Sequence, residues 1–168
     1  MKRIIFIVIF CAFTLVSLTL GCDATKPKPE REEINFRVGT SGIFSGSTSY
    51  GTLLINNHSQ LKENYEGQSI QWVDDIPIWE RYCSDFFNEN ALVMYTFGDS
   101  GDNAPEYEVE RLVKEGKTLT VYIIQHGMTQ GLMYFSITIL IEVNKYDVLN
   151  VQNIETITRI IYDEDGGN

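Results

Sequence analysis

Apolar and polar residues alternate most regularly near the C-terminal end of the chain. The apolar residues on successive odd positions are Phe135, Ile137, Ile139, Ile141 and Val143. The residues between them are Tyr134, Ser136, Thr138, Leu140 and Glu142. Because neighbouring side chains of a strand point to opposite faces, this pattern predicts a strand with one buried and one solvated face. Such a strand is typical of an antiparallel sheet that packs on one side.

Six further segments have the alternation or the β-branched composition of strands. They lie at 34–38, 52–56, 91–97, 106–110, 118–123 and 154–162. The segment 114–117 contains Gly116 and predicts a hairpin turn, and the Gly-, Ser- and Thr-rich stretch 39–51 predicts a loop or an irregular edge strand. About seven short strands at this spacing predict a mainly β, antiparallel sandwich-like domain, with a small barrel as the alternative.

Two segments have helical spacing. A helix is predicted over 59–66, with Ser59 as its N-cap. A second is predicted over 76–87, where Trp79, Tyr82, Cys83 and Phe86 stand at i, i+3, i+4 and i+7 and so share one face. We interpret this stripe as core-facing, with an aromatic ligand cage as the alternative. Cys83 is accordingly predicted to be a buried free thiol.

The N-terminal segment has the layout of an export signal. Two basic residues precede an apolar run over 4–20. The following residues, Leu-Thr-Leu-Gly-Cys at 18–22, resemble the lipobox of bacterial lipoproteins, although that family prefers Leu where Thr19 stands. The resemblance implies cleavage between Gly21 and Cys22 and attachment of a diacylglycerol (a palmitate-type lipid anchor) to the Cys22 thiol. An uncleaved transmembrane helix and simple secretion are the alternatives.

These features divide the chain into four parts. A signal peptide covers 1–21, and Cys22 begins a Pro-rich, charged tether that continues to residue 33. A single β-rich domain covers 34–165, and a tail covers 166–168. This organisation places the protein at the cell membrane, lipid-anchored and facing outside the cytoplasm. Cleavage removes Lys2 and Arg3, so 11 basic and 23 acidic side chains remain and the net charge becomes −12.

Composition and charge exclude some functions. The 168 residues carry a net charge of −10, which argues against nucleic acid as a partner, since phosphates must be neutralised by Lys and Arg. His58 and His126 are the only histidines, and neither has metal-ligand spacing, so no metal or other cofactor is predicted. Asp99 and Asp102 suggest a calcium loop, but turn chemistry explains an Asp-, Gly- and Asn-rich loop equally well.

The sequence contains no motif that predicts catalysis. A G-x-S-x-G elbow and the two Gly-rich phosphate-binding motifs are absent from it. We therefore predict a non-catalytic module that binds another surface protein through loops or a sheet edge. The alternative is an extracytoplasmic hydrolase that uses His126 or His58 with a carboxylate. A receptor for a small ligand or metal is a third possibility.

The segment 82–94 reads Tyr-Cys-Ser-Asp-Phe-Phe-Asn-Glu-Asn-Ala-Leu-Val-Met. It resembles the Y-x-x-x-F-F-x-x-x-x-L-V-V segment of bacterial lipoproteins of the PrcB-like, protease-complex-subunit type, and the resemblance extends over about 50–165. It implies a β-sandwich-like fold and an accessory role in a surface assembly, stabilising or regulating a protease. That family carries a Thr-Gly-Gly-Tyr-like run after this strand, of which only Tyr107 is kept here. The predicted interaction loop contains Asp99, Asp102, Asn103 and Tyr107.

Overall fold

The computed structural model describes residues 28–45, 51–65, 69–71, 77–100, 106–127 and 134–162. The chain divides into two units, Met1–Glu30 and Arg31–Asn168. The described strands and helices all lie in the second unit. Their order is β1 (Arg31–Ile34), β2 (Phe36–Ser45), β3 (Gly51–Ile55), α1 (His58–Tyr65), β4 (Ser69–Gln71), α2 (Ile78–Arg81), α3 (Phe86–Glu89), β5 (Asn90–Ser100), β6 (Glu106–Glu115), β7 (Thr118–His126), β8 (Tyr134–Asn144) and β9 (Asn153–Ile161).

The described strands form two sheets. A four-stranded sheet has the order β1-β6-β7-β9, and a five-stranded sheet has the order β3-β5-β8-β2-β4. All pairings are antiparallel except that of β7 with β9, which is parallel. The predicted mainly β, sandwich-like fold is confirmed. The described residues form nine strands rather than about seven, because the short strand β4 and the split of the first predicted strand into β1 and β2 escape the sequence pattern.

The main core lies between the two sheets. Its members are alternate residues of facing strands, for example Val93 of β5, Val121 of β7 and Ile139 of β8. The burial of these side chains removes apolar surface from water, at about 25 cal/mol per Å², and is the largest favourable contribution to folding. Four of the five odd positions of β8 that the sequence assigned to the buried face do face the core, and the side chain of the fifth, Phe135, lies outside the described part. Ile137, Ile139, Ile141 and Val143 are all buried.

A second core lies on the outer face of the five-stranded sheet, where the helices cover it. Its buried members are Ile55, Leu61, Ile78, Tyr82, Phe87, Leu92, Met94 and Leu140. The predicted solvated face of β8 is therefore wrong, since Ser136, Thr138 and Leu140 are also buried. The Thr138 hydroxyl forms a hydrogen bond with that of Thr96 (Oγ1–Oγ1 2.8 Å), so the polar group keeps a partner beneath the helices.

The first strand of the predicted domain is split between the sheets. β1 ends at Ile34 in the four-stranded sheet, and β2 begins at Phe36 in the five-stranded sheet. Both side chains still pack on the core between the sheets, so the alternation continues across the break. β2 also extends to Ser45, so the part of the predicted loop or irregular edge that covers 39–45 is a strand with a bulge, and residues 46–50 lie outside the described residues. Residues 31–33, assigned from the sequence to the tether, pair with 113–115 of β6.

The helices differ from expectation in two respects. The predicted N-cap Ser59 lies inside the helix, and Asn57 caps it instead, since its Oδ1 accepts a hydrogen bond from the Gln60 N–H (2.9 Å). The helix predicted over 59–66 is confirmed as α1, but the continuous helix predicted over 76–87 is wrong. The chain leaves the helical conformation at Tyr82 (φ −108°, ψ 74°) and re-enters it at Phe86. Tyr82 therefore keeps its ring in the second core, whereas the next residue, Cys83, is exposed. The prediction of a buried Cys83 is wrong because it assumed unbroken helical spacing.

Candidate functional site

The edges of the two sheets differ in how they are protected. β1, at one edge of the four-stranded sheet, has four residues, and Arg31, Glu32 and Glu33 are exposed. β4 and β3, at the edges of the five-stranded sheet, have three and five residues. A short edge hinders the addition of another strand, and the charged residues of β1 hinder it further. β9 is different, since it is an edge strand of nine residues.

β9 also carries two exposed large apolar residues, whereas the shorter edge strand β3 carries one, Leu53. Ile157 is 48% exposed and Ile160 is 41% exposed, and Tyr162 just beyond the strand is also exposed. The β-branched Ile and Thr residues favour the extended conformation, but only Ile154 packs against the core between the sheets. In the part of the chain that the structure describes, β9 pairs with β7 alone, so no strand pairs with its outer side.

β9 is held in place along the edge that pairs with β7. Its parallel register with β7 runs from Thr118 opposite Asn153 to His126 opposite Ile161. At the end of the strand, the Gly127 N–H donates a hydrogen bond to the Ile161 carbonyl oxygen (2.8 Å). The edge therefore needs little ordering before a partner strand binds, which lowers the entropic cost of binding.

A contact across the sandwich also fixes the middle of β9. The Thr156 hydroxyl forms a hydrogen bond with the Thr52 hydroxyl of β3 (Oγ1–Oγ1 2.6 Å), so the edges of the two sheets meet here. On the outer face, Ile157 stands opposite Tyr122. The Arg111 guanidinium makes a cation–π contact with the Tyr122 ring, with its Cζ 4.3 Å from the ring centroid. Arg159 lies 3.5 Å from Glu110 (Nη2–Oε1). That exposed ion pair is weak and leaves Arg159 available to a partner.

A separate polar cluster lies at a bulge in β2. Gly39 is the extra residue where the register with β8 shifts, and it lines a cavity of about 250 Å³ with Arg37, Arg81, Tyr82 and Glu142. Glu142 accepts hydrogen bonds from Arg37 Nε (2.8 Å) and Tyr82 Oη (3.1 Å). Burial of the phenol, and secondarily the nearby Glu142 carboxylate, raises the pKa of Tyr82 well above its ordinary value.

The hydrogen bonds and the ion pair of this cluster connect three secondary-structure elements. The Glu142 carboxylate is neutralised by the Arg37 guanidinium, and its side chain is only 12% exposed. Among the described residues that line the cavity, Glu142 is the one carboxylate, and none is a histidine. The three side chains come from β2, the end of α2 and β8, so the cluster fastens the helices to the sheet.

The histidines predicted as alternative catalytic residues lie in different layers. His126 is at the end of β7, and its Nε2 is 3.7 Å from Glu108 Oε2, beyond hydrogen-bond distance. His58, at the start of α1, has its Nε2 3.0 Å from the Trp79 carbonyl oxygen and so links α1 to α2. Among the described residues, no group of three His, Cys, Asp or Glu side chains is placed to hold a metal ion.

The predicted interaction loop is only partly described. Asp102 and Asn103 lie outside the described residues, and Asp99 lies near the end of β5, opposite Phe135 of β8. Tyr107 of β6 is half-buried, and its ring packs edge-on against Phe97 (centroids 4.4 Å apart). Tyr107 thus contributes to packing between the sheets.

The structure does not describe the predicted lipid anchor. Gly21 and Cys22, the predicted cleavage and lipidation residues, are outside the described residues. Among the residues that the structure does describe, none of the helices is both long and apolar enough to span a membrane.

The sequence predicts β9 as a strand but does not indicate that its edge is a candidate binding site. The pattern over 154–162 predicts an extended segment, but it does not tell whether a second strand pairs with each side. The pairing of β9 with β7 is parallel and non-sequential, so hairpin logic could not find it. The one available signal was that Ile157 and Ile160 stand on opposite faces, and a strand with a single buried face cannot bury both.

Comparison of the chain with protein-family models, curated proteins and solved structures gives no match. Function is therefore inferred from the sequence and from the geometry of the described residues.

Proposed function

We propose that the chain is a lipid-anchored, extracytoplasmic and non-catalytic module that binds a protein partner as an added strand on β9. The observation that carries this proposal is the nine-residue edge of β9, which no described strand pairs on its outer side and on which Ile157 and Ile160 are exposed. In strand addition, main-chain hydrogen bonds supply affinity and alternate side chains supply specificity. A long apolar edge without a partner would otherwise be an aggregation hazard.

The N-terminal sequence supports the proposed location. The lipobox-like run ending at Cys22 would attach acyl chains, each contributing about 0.8 kcal/mol per buried CH₂ to membrane binding. The charged, Pro-containing segment after it would keep the domain near the bilayer. The resemblance to PrcB-like lipoproteins favours an accessory role in an extracytoplasmic assembly, stabilising or regulating a protease.

Site-specific photocrosslinking in intact cells tests the proposal. A photoreactive residue at Thr158, which is exposed on β9, is expected to give a covalent adduct with a protein partner. The same residue at Glu63, exposed on α1, is the matched control and is expected to give none. Ile157→Lys should remove the Thr158 adduct, because a charged side chain opposes an apolar partner strand. Equal adduct formation at both positions, or at neither, would contradict the proposal.

A hydrolase remains the second candidate, and the 3.7 Å separation of His126 and Glu108 is the observation that favours it. A carboxylate near an imidazole supplies the two types of group that general acid–base catalysis uses. The purified protein can be assayed with peptide, ester and glycan substrates, with His58→Ala as the matched control. Turnover that is lost in His126→Ala and kept in His58→Ala would establish this candidate.

A further inference from the structure

We infer that the strand added to β9 is the β9 of a second copy of this chain. The two strands would be antiparallel and related by a two-fold axis that passes midway between the two copies of Ile157, which we call an axis through Ile157. This inference rests on the proposed function, since it names the partner of the same edge. The pairing would join two four-stranded sheets into one continuous eight-stranded sheet. An interface about a two-fold axis must be self-complementary, so each residue has to suit the residue that faces it from the other copy.

β9 meets that condition in one register. With Ile157 opposite Ile157 of the second copy, Glu155 stands opposite Arg159, and this ion pair occurs twice. On the other face of the sheet, Thr156 stands opposite Thr158 and Ile154 opposite Ile160. Opposite charges, two hydroxyls and two β-branched apolar side chains are all favourable cross-strand pairs. Every directly opposed pair except the outermost is therefore matched in chemistry.

Neighbouring registers are not matched. An axis through Thr156 would place Glu155 opposite Ile157, and an axis through Thr158 would place Arg159 opposite Ile157. An axis through Glu155 or Arg159 would place like charges opposite each other, which is destabilising. A slip by an odd number of residues along one strand would join the outer face of one sheet to the inner face of the other. The sequence of β9 therefore specifies one symmetric register.

The outer-face side chains that this pairing needs are accessible, whereas Ile154 and Thr156 on the inner face are half-buried. Glu155, Ile157, Thr158 and Arg159 are all exposed. The net charge of the chain is −10, so two copies repel each other and non-specific contact between them is disfavoured. The two Glu155–Arg159 pairs oppose that repulsion locally. Association would therefore depend on the register and not on apolar exposure alone.

Disulfide trapping of the full chain in its native membrane tests the register, with Cys83→Ser as the parent. Residues directly opposite on antiparallel strands have Cα atoms about 4.5–5.5 Å apart, within the range that a disulfide spans. Ile157→Cys should therefore give a disulfide-linked dimer on mild oxidation. Glu155→Cys should give none, because the two copies of residue 155 would be about 13 Å apart along the sheet. Co-expressed Glu155→Cys and Arg159→Cys chains should cross-link to each other.

Charge reversal tests the same register in solution, with the full chain in detergent and dimerisation measured by sedimentation. Glu155→Arg alone and Arg159→Glu alone should each weaken self-association about tenfold or more, because two attractive pairs become repulsive. A mixture of the two variants should associate like the parent, since position 155 of each then faces an opposite charge at 159. The double variant should also self-associate. Glu63→Arg on α1 is the matched control and should change nothing.

The outcomes separate this inference from the proposed function. Unlinked Ile157→Cys chains, or a variant mixture that associates no better than its components, would overturn self-pairing. If the Thr158 photocrosslink then still captures another protein and is lost in Ile157→Lys, the proposed function stands with a different partner. If that adduct is also missing, both fail. If one charge variant fails to fold, the double variant and the cysteine pairs still test the register of the β9 pairing independently.

Discussion

At the scale of single residues, the cluster around Gly39 shows how one position fixes several others. The bulge at Gly39 brings the backbone of β2 close to the Tyr82 hydroxyl and the Glu142 carboxylate. Tyr82 is held from its other side by Phe86, whose ring centroid is 4.9 Å away. A side chain at this position would therefore force the Tyr82 hydroxyl and the Glu142 carboxylate to move, although nothing in the sequence around Gly39 separates it from an ordinary loop glycine.

Replacing Gly39 with Ala should destabilise the domain by about 1–3 kcal/mol, the usual cost of overpacking. An added Cβ would lie 2.0 Å from Tyr82 Oη and 2.5 Å from Glu142 Oε1, so both groups must move. The change is measured by urea unfolding. Combining Gly39→Ala with Tyr82→Phe should recover part of the loss, because the nearest atom is then absent. Strictly additive losses would argue against this clash as the cause.

Tyr82→Phe should lower stability near neutral pH by about 1 kcal/mol, since it removes the hydrogen bond to Glu142. It should also change the pH dependence. The pKa of Tyr82 is raised in the folded state, so its stabilising effect is fully present below the unfolded pKa of about 10 and is lost as the pH rises above it. The parent should lose at most about 1.4 kcal/mol per pH unit more than Tyr82→Phe above pH 10. Parallel curves for the two proteins would contradict this assignment.

At the scale of elements, the sequence predicts strands well and their surroundings poorly. The alternation in β8 identifies the strand and the face toward the other sheet, because that face is apolar at every odd position from 137 to 143. It cannot show that helices distant in sequence cover the opposite face, since small polar residues such as Thr138 serve equally well in water and beneath a helix. The open edge of β9 was missed for a related reason, since strand order is a tertiary property.

The helical layer should contribute substantially to stability. Leu61 of α1 is fully buried in the second core, where Ile55 and Ile78 are also buried. Leu61→Ala should therefore cost about 2–5 kcal/mol, as for other large-to-small changes in cores. The exposed neighbour Lys62→Ala is the matched control and should change stability by less than about 0.5 kcal/mol. Equal effects of the two variants in urea unfolding would mean that the helices do not form a cooperative layer with the sheet.

At the scale of the whole molecule, charge and proposed anchoring act together. The acidic domain would be repelled by anionic lipid headgroups, so basic residues cannot supply membrane binding and acyl chains would have to. Copies confined to one membrane surface would meet at a higher effective concentration than copies in solution. A weak, register-specific edge such as β9 would then suffice for pairing.

The proposed anchor gives a prediction for the full chain. Cys22→Ser should abolish incorporation of labelled fatty acid, because the hydroxyl does not replace the thiol in the lipid transfer that the lipobox resemblance implies. Uncleaved chains should accumulate at a mass higher by the 21 residues that precede Cys22. Cys83→Ser removes the exposed thiol of the domain and is the matched control, with labelling and processing expected to match the parent. Fatty-acid labelling that persists in Cys22→Ser would refute the anchor, and processing that continues without labelling would favour simple secretion instead.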